Sequence, residues 1–221
     1  MQNLLFACAL ATQYVPAGQN VFWTIDGISR EARVVLPTVA TNHPPVVICF
    51  HGGGGQAYYA VDEYAIHKNW PEALVYYAEG RVGSGGFSTW SPADIPFFDT
   101  MRGDALRGRA GDRKRVFVMG YSTGANFCGD LWAARGYEIA GFAFVSGGRY
   151  KSGFLPRPVY LNYAVGEPDA HRLAELGKTL DAWGRKARVR IEVMTRSGGH
   201  TYPQTSDGEI ADFLKSCPAL P

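Results

Sequence analysis

Val116-Phe117-Val118-Met119-Gly120-Tyr121-Ser122-Thr123-Gly124 is the stretch on which the reading of this chain turns. Its first four residues are apolar without a break, the pattern of a strand covered on both faces. Ala125–Arg135 behind it reads as a helix. Between the two lies the only G-x-S-x-G of the sequence. A strand that turns directly into a helix bends its serine sharply and lifts the hydroxyl clear of the sheet. The flanking glycines bring no Cβ into that crowded bend. The helix N-terminus behind it favours developing negative charge. Ser122 therefore reads as a nucleophile.

Upstream, the apolar run Val46–Phe50 is followed by His51-Gly52-Gly53-Gly54-Gly55. Consecutive glycines are entropically costly, and their use is close approach of backbone N–H groups to a ligand. In a serine hydrolase such a loop donates one N–H to the oxyanion, and the residue after the nucleophile donates the other. That assigns Thr123 and either Gly53 or Gly54 to an oxyanion hole, with His51 in a structural role. A phosphate loop does not fit, because no G-K-[ST] follows and no G-x-G-x-x-G is present.

Serine needs a base. Of the five histidines, His200 is the candidate. It stands in Ser197-Gly198-Gly199-His200-Thr201-Tyr202-Pro203, after the strand expected at Val189–Met194, where active sites of open α/β sheets lie. The acid that orients it should fall between serine and histidine in the chain. The strand expected at Val159–Ala164 ends in Gly166-Glu167-Pro168-Asp169. Asp169 is taken over Glu167 because a helix is expected from Ala170; a helix-capping role for Asp169 is the alternative.

Working outward, Val21–Asp26 and Arg30–Leu36 alternate around Gly27 and predict an antiparallel hairpin. Strands are expected at Ala73–Tyr77 and Ile139–Val145, and helices at Tyr58–Lys68, Asp94–Leu106, Ala170–Trp183 and Glu209–Leu214. Strands alternating with helices imply an α/β fold: a mostly parallel sheet of about eight strands with helices on both faces. Gly80–Pro92 is a long loop. Its Phe87 and Trp90, with Tyr121 and Tyr202, are the candidate substrate-binding side chains.

The chain has 221 residues, 46% hydrophobic and 19% charged, with a net charge of +2. That suits one catalytic domain over residues 19–221 without a large lid. No basic face is concentrated enough for nucleic acid. Leu4–Ala11 is apolar but too short to span a bilayer. Residues 1–18 read as a separate N-terminal segment, either a signal-peptide remnant ending near Ala9-Leu10-Ala11 or a surface segment. A secreted or periplasmic location is favoured over a cytoplasmic one. The four cysteines, Cys8, Cys49, Cys128 and Cys217, show no metal-ligand spacing, and a serine–histidine–acid mechanism implies neither metal nor cofactor. A Cys128–Cys217 disulfide stays open, as does the oligomeric state.

These motifs resemble a small esterase branch of the α/β-hydrolases that includes poly(3-hydroxybutyrate) depolymerases and feruloyl or acetylxylan esterases. The resemblance runs from about Val21 to Leu214. It rests on Asp26-Gly27, Phe50–Gly55, Arg115–Ser122, Gly166–Asp169 and Gly199–Pro203. It implies a triad of Ser122, Asp169 and His200 acting on a small or polymeric ester. Thr123-Gly124-Ala125 after the serine and Tyr202, two residues after the histidine, depart from the family pattern, which leaves the substrate open. A peptidase or acyltransferase with the same triad, or a non-catalytic binding protein on the same scaffold, are the other readings.

Overall fold

The structure, a computed structural model, describes residues 17–83, 85–150 and 153–221. Cys8 and nearly all of the N-terminal segment lie outside the described residues. The fold opens with a hairpin of β1 (Gln19–Ile25) and β2 (Ile28–Val35), in register from Gln19↔Val34 to Ile25↔Ile28. Asp26 and Gly27 make its turn at φ of 51° and 76°, the backbone that a right-twisted two-residue hairpin selects and Asp-Gly tolerates.

β3 (Val46–Phe50), α1 (Ala57–Tyr64), α2 (Ile66–Asn69) and β4 (Leu74–Ala78) follow. The helix expected over Tyr58–Lys68 is broken at Ala65, with φ of 41°. Tyr64 and Ile66 are both fully buried. A continuous helix would turn them about 200° apart, so the break lets both face the core. The Gly80–Pro92 loop contains a short antiparallel ladder of β5 (Arg81–Val82) and β6 (Ser88–Thr89). Then come α3 (Ile95–Gly103), β7 (Val116–Tyr121), α4 (Thr123–Arg135) and β8 (Gly141–Val145). β9 (Val159–Ala164), α5 (Ala170–Ala187), β10 (Ile191–Arg196) and α6 (Asp207–Ser216) complete the chain.

The eight-stranded sheet has the order β1-β2-β4-β3-β7-β8-β9-β10. It is parallel from β4 to β10, and β2 joins it antiparallel through β4. Successive residues of each buried strand serve opposite faces. Val46, Ile48 and Phe50 pack with Phe97, Phe127, Leu131 and Leu180 of α3, α4 and α5. Val47 and Cys49 pack with Val61, Ile66 and Leu214 of α1, α2 and α6. Each fully buried aliphatic or phenylalanine side chain contributes about 1.5–3 kcal/mol, so both faces hold the sheet. Cys49, Cys128 and Cys217 are buried free thiols in the core, which settles the open Cys128–Cys217 pairing as unmade.

Chain direction across the sheet reverses between β3 and β7. From β3 the chain moves outward to β4, then returns past β3 to β7 and continues to β10. Such a switch point leaves a crevice at the carboxyl ends of the two strands. Phe50 and Gly120 are register partners there. The glycine loop and the Ser122 turn thus leave the sheet side by side.

Candidate active site

Ser122 sits between β7 and α4 with φ of 54° and ψ of −115°. Non-glycine residues adopt that backbone only under external constraint. The constraint is visible on both sides. Ser122 N–H donates to the Val145 carbonyl at 2.8 Å, and its own carbonyl accepts from Asn126 N–H at 3.1 Å. A Cβ on Gly124 would lie 2.2 Å from the Phe50 carbonyl oxygen, and one on Gly120 would lie 2.3 Å from the backbone of Gly124. Only glycines allow α4 to start this close to β3.

The Ser122 Oγ lies 2.8 Å from His200 Nε2, and His200 Nδ1 lies 2.7 Å from Glu167 Oε2. A carboxylate only accepts, so Nδ1 carries the ring proton and Nε2 is free to accept from the serine hydroxyl. Glu167 is buried, its side chain 0% exposed. Its other oxygen accepts from Ala164 N–H at 2.7 Å and Ser146 Oγ at 3.1 Å. The carboxylate is thereby folded back onto the end of β9.

The acid position differs from the sequence expectation. Asp169 does not meet His200; its side chain is 60% exposed and pairs with Arg172 at 3.0 Å. The reason lies in the chain path. The helix does begin at Ala170, which commits Asp169 to its outward first turn. Glu167 precedes Pro168, which biases it away from helical backbone, and it stays in the short turn beside the strand end. That bias was the available signal for Glu167. Ser146, between β8 and β9, carried no motif.

The glycine loop also divides its donors. Gly54 N–H donates to the Ser88 carbonyl at 2.7 Å, and Gly55 N–H donates to the Gly52 carbonyl at 3.0 Å. Gly54 is therefore ruled out as the free donor. Among the described residues, Gly53 N–H has no such partner. A Cβ on Gly53 would lie 3.6 Å from Thr123 Cγ2, so Gly53 packs against the residue that follows the serine. Thr123 begins α4, where backbone N–H groups lack intrahelical acceptors. His51 has the expected structural role. Gly80 N–H donates to its Nε2 at 2.9 Å, so its Nδ1–H is left to donate to the Gly52 carbonyl at 2.7 Å.

Two of the four candidate substrate contacts are walls instead. Trp90 is 8% exposed; its indole N–H donates to the His51 carbonyl at 2.8 Å, and its ring stacks on Phe127. Tyr202 is 7% exposed and donates its hydroxyl to Asp207 at 2.7 Å. Both are buried because their polar tips find partners far along the chain or at the next helix start. Tyr121 stacks on the His200 ring, with centroids 5.3 Å apart. Burial, then the charges of Glu63 and Glu167, push its phenol up to about 12. Phe87 is exposed and lines an open cavity of about 450 Å³ with Gly53, Gly83, Gly85 and Thr89.

Burial pushes the Asp207 carboxyl up to about 7, a shift opposed by the Tyr202 hydrogen bond and raised further by Glu63. A carboxyl raised on folding favours the protonated native state. Its stabilising effect is full below the unfolded value near 4 and is lost as pH rises through 7. Asp207→Asn keeps an acceptor for Tyr202 and removes the charge. Its melting temperature is expected to match the parent at pH 4 and to exceed it increasingly up to pH 8. Parallel melting curves of the two proteins across that range would refute the buried carboxyl.

Among the described residues, no group of three or more His, Cys, Asp or Glu side chains is placed to hold a metal ion. No described helix is long and apolar enough to cross a membrane.

Neither family models nor the sequences of curated proteins match the chain. Solved structures do. An esterase from Pyrobaculum calidifontis superposes with a TM-score of 0.72 at 16% identity, over 91% of this chain and 87% of that one. A carboxylesterase from Bacillus cereus gives 0.67 at 16% identity, over 84% and 93%. An S-formylglutathione hydrolase from Staphylococcus aureus gives 0.68 at 10% identity, over 90% and 97%. The chain has the α/β-hydrolase fold. Identities this low carry the likeness in the backbone. In an α/β-hydrolase frame, Ser122, Glu167 and His200 lie in the turns after β7, β9 and β10, with the glycine loop after β3.

Proposed function

We propose that the chain is a serine carboxylic ester hydrolase. The observation that carries this reading is the continuous relay from Ser122 through His200 to a buried Glu167. Ser122 Oγ attacks the ester carbonyl while His200 Nε2 takes its proton. Glu167 holds Nδ1–H and stabilises the imidazolium that forms. The tetrahedral oxyanion receives the Gly53 and Thr123 N–H groups, each worth roughly 3–4 kcal/mol in the transition state. His200 then returns the proton to the departing alcohol, leaving an acyl-serine. Water, activated by the same imidazole, releases the acid.

The similar structures include an esterase and a carboxylesterase, which supports ester chemistry over peptide chemistry. Gly53 and Phe87 line the same cavity, so the group bound there lies next to the oxyanion donors. Backbone glycines and one exposed aromatic ring suit a flat acyl group. A feruloyl-type ester fits this better than a bare acetyl ester, and a polyester repeat is the further candidate.

A fluorophosphonate probe tests the reaction class. The expected result is one adduct per chain, mapped by mass spectrometry to the peptide containing Ser122. No adduct, or one at another residue, rejects the hydrolase reading. A panel of methyl ferulate, p-nitrophenyl acetate, p-nitrophenyl butyrate and 3-hydroxybutyrate oligomers ranks the substrates. Methyl ferulate is expected to give the highest kcat/KM relative to its intrinsic reactivity, and the reverse ranking would remove the aryl preference.

A further inference from the structure

His200 sits on a loop that local structure does little to hold. Residues 197–201 are exposed, Gly198 has φ of 98°, and Gly199 adds a second flexible link. Yet the imidazole must stay within hydrogen-bond reach of two partners on other strands. Regular structure supplies only the ends: Gly166 N–H donates to the Gly198 carbonyl at 3.0 Å, and Thr201 N–H donates to the Gly199 carbonyl at 2.9 Å.

The side chain that spans the gap is Arg196, the last residue of β10. Its Nη1 donates to the Gly199 carbonyl at 3.3 Å, and its Nη2 donates to the Thr201 carbonyl. These are the carbonyls on either side of His200. The same Nη2 donates to Ser146 Oγ at 3.0 Å, and that hydroxyl donates onward to Glu167 Oε1. Nε donates to Asn162 Oδ1 at 3.2 Å on β9. One planar guanidinium therefore fixes the histidine loop from both sides and ties it to the acid's own hydrogen-bond partner. Ser146 is buried and held at φ of 49°, so that link is rigid. Lysine cannot reproduce it, because its single ammonium lacks the fixed fork of donors.

We propose that Arg196 is a positioning residue that sets the His200 imidazole between Ser122 and Glu167. The proposal rests on the relay reading above. It predicts a defect in turnover and not in substrate capture, because Arg196 touches the base's loop and not the cavity beside Gly53.

The test compares wild type with Arg196→Met, Arg196→Lys and Arg196→Ala by steady-state kinetics, thermal melting and proton NMR of the low-field His200 Nδ1–H. Displacing a base by about 1 Å costs on the order of 10²-fold in rate, so Arg196→Met is expected to lose about that much kcat with KM little changed. Arg196→Lys should fall between, and sub-denaturing guanidinium, but not sodium, should raise the kcat of Arg196→Ala. The low-field proton should weaken or vanish in Arg196→Met. The proposal is overturned if Arg196→Met keeps kcat within about threefold, or if kcat falls only in step with melting temperature while the low-field proton persists. If wild type shows no Ser122-dependent hydrolysis, the esterase reading fails instead, and the low-field proton alone then judges the clamp.

Discussion

Glu167→Gln is expected to lower kcat/KM by about 10³–10⁴-fold, while Asp169→Asn stays close to wild type. The geometry dictates which way the new amide would face. Ala164 N–H and the Ser146 hydroxyl both donate to Oε1, so the glutamine carbonyl must stay there. That turns the NH₂ group toward His200 Nδ1. Nδ1 becomes an acceptor, the ring proton moves to Nε2, and Nε2 can no longer accept from Ser122. The imidazolium also loses its counter-charge. Asp169 faces solvent on Arg172, and exposed ion pairs of that kind contribute little. Initial rates on a p-nitrophenyl ester decide it: a damaging Asp169→Asn beside a harmless Glu167→Gln would show the acid to be Asp169 after all.

Ser122→Ala is expected to have the largest effect on turnover, a loss of about 10⁵–10⁶-fold in kcat. What remains would come from Gly53, Thr123 and the cavity, which still bind the ester and polarise its carbonyl. The Ser122→Ala protein should fold, since the substitution removes only the hydroxyl and keeps the existing Cβ. Burst kinetics should disappear together with turnover, because no acyl-enzyme can form. A loss smaller than about tenfold would mean that water or another side chain attacks the ester, and Ser122 would not be the nucleophile.

Much of this arrangement can be read from the sequence because its signals are local. The alternation around Asp26-Gly27, the apolar runs of β3 and β7, and β9 from Val159 to Ala164 all match the structure. Ser122 and His200 stand out by their position at strand ends. The positions that the sequence leaves open depend on partners distant in the chain. Gly54 is taken up by the Ser88 carbonyl, and Trp90 by the His51 carbonyl; neither pairing leaves a mark on the residues nearby. Glu167 and Asp169 are two positions apart, and which one turns inward is decided by where β9 stops and α5 begins. Arg196 reads as one more surface cation until the strand places its fork across the histidine loop.

The left-handed backbone at Ser122 has a consequence for how such a chain changes over generations. A serine there is held against its own preference at about 1–3 kcal/mol, and glycine would occupy the same turn with ease. Mutational drift under selection for folding alone would therefore lead away from serine. At φ of 54°, and with its hydroxyl 2.8 Å from His200 Nε2, Ser122 is a position where the residue that suits the backbone and the residue that meets the imidazole are different ones.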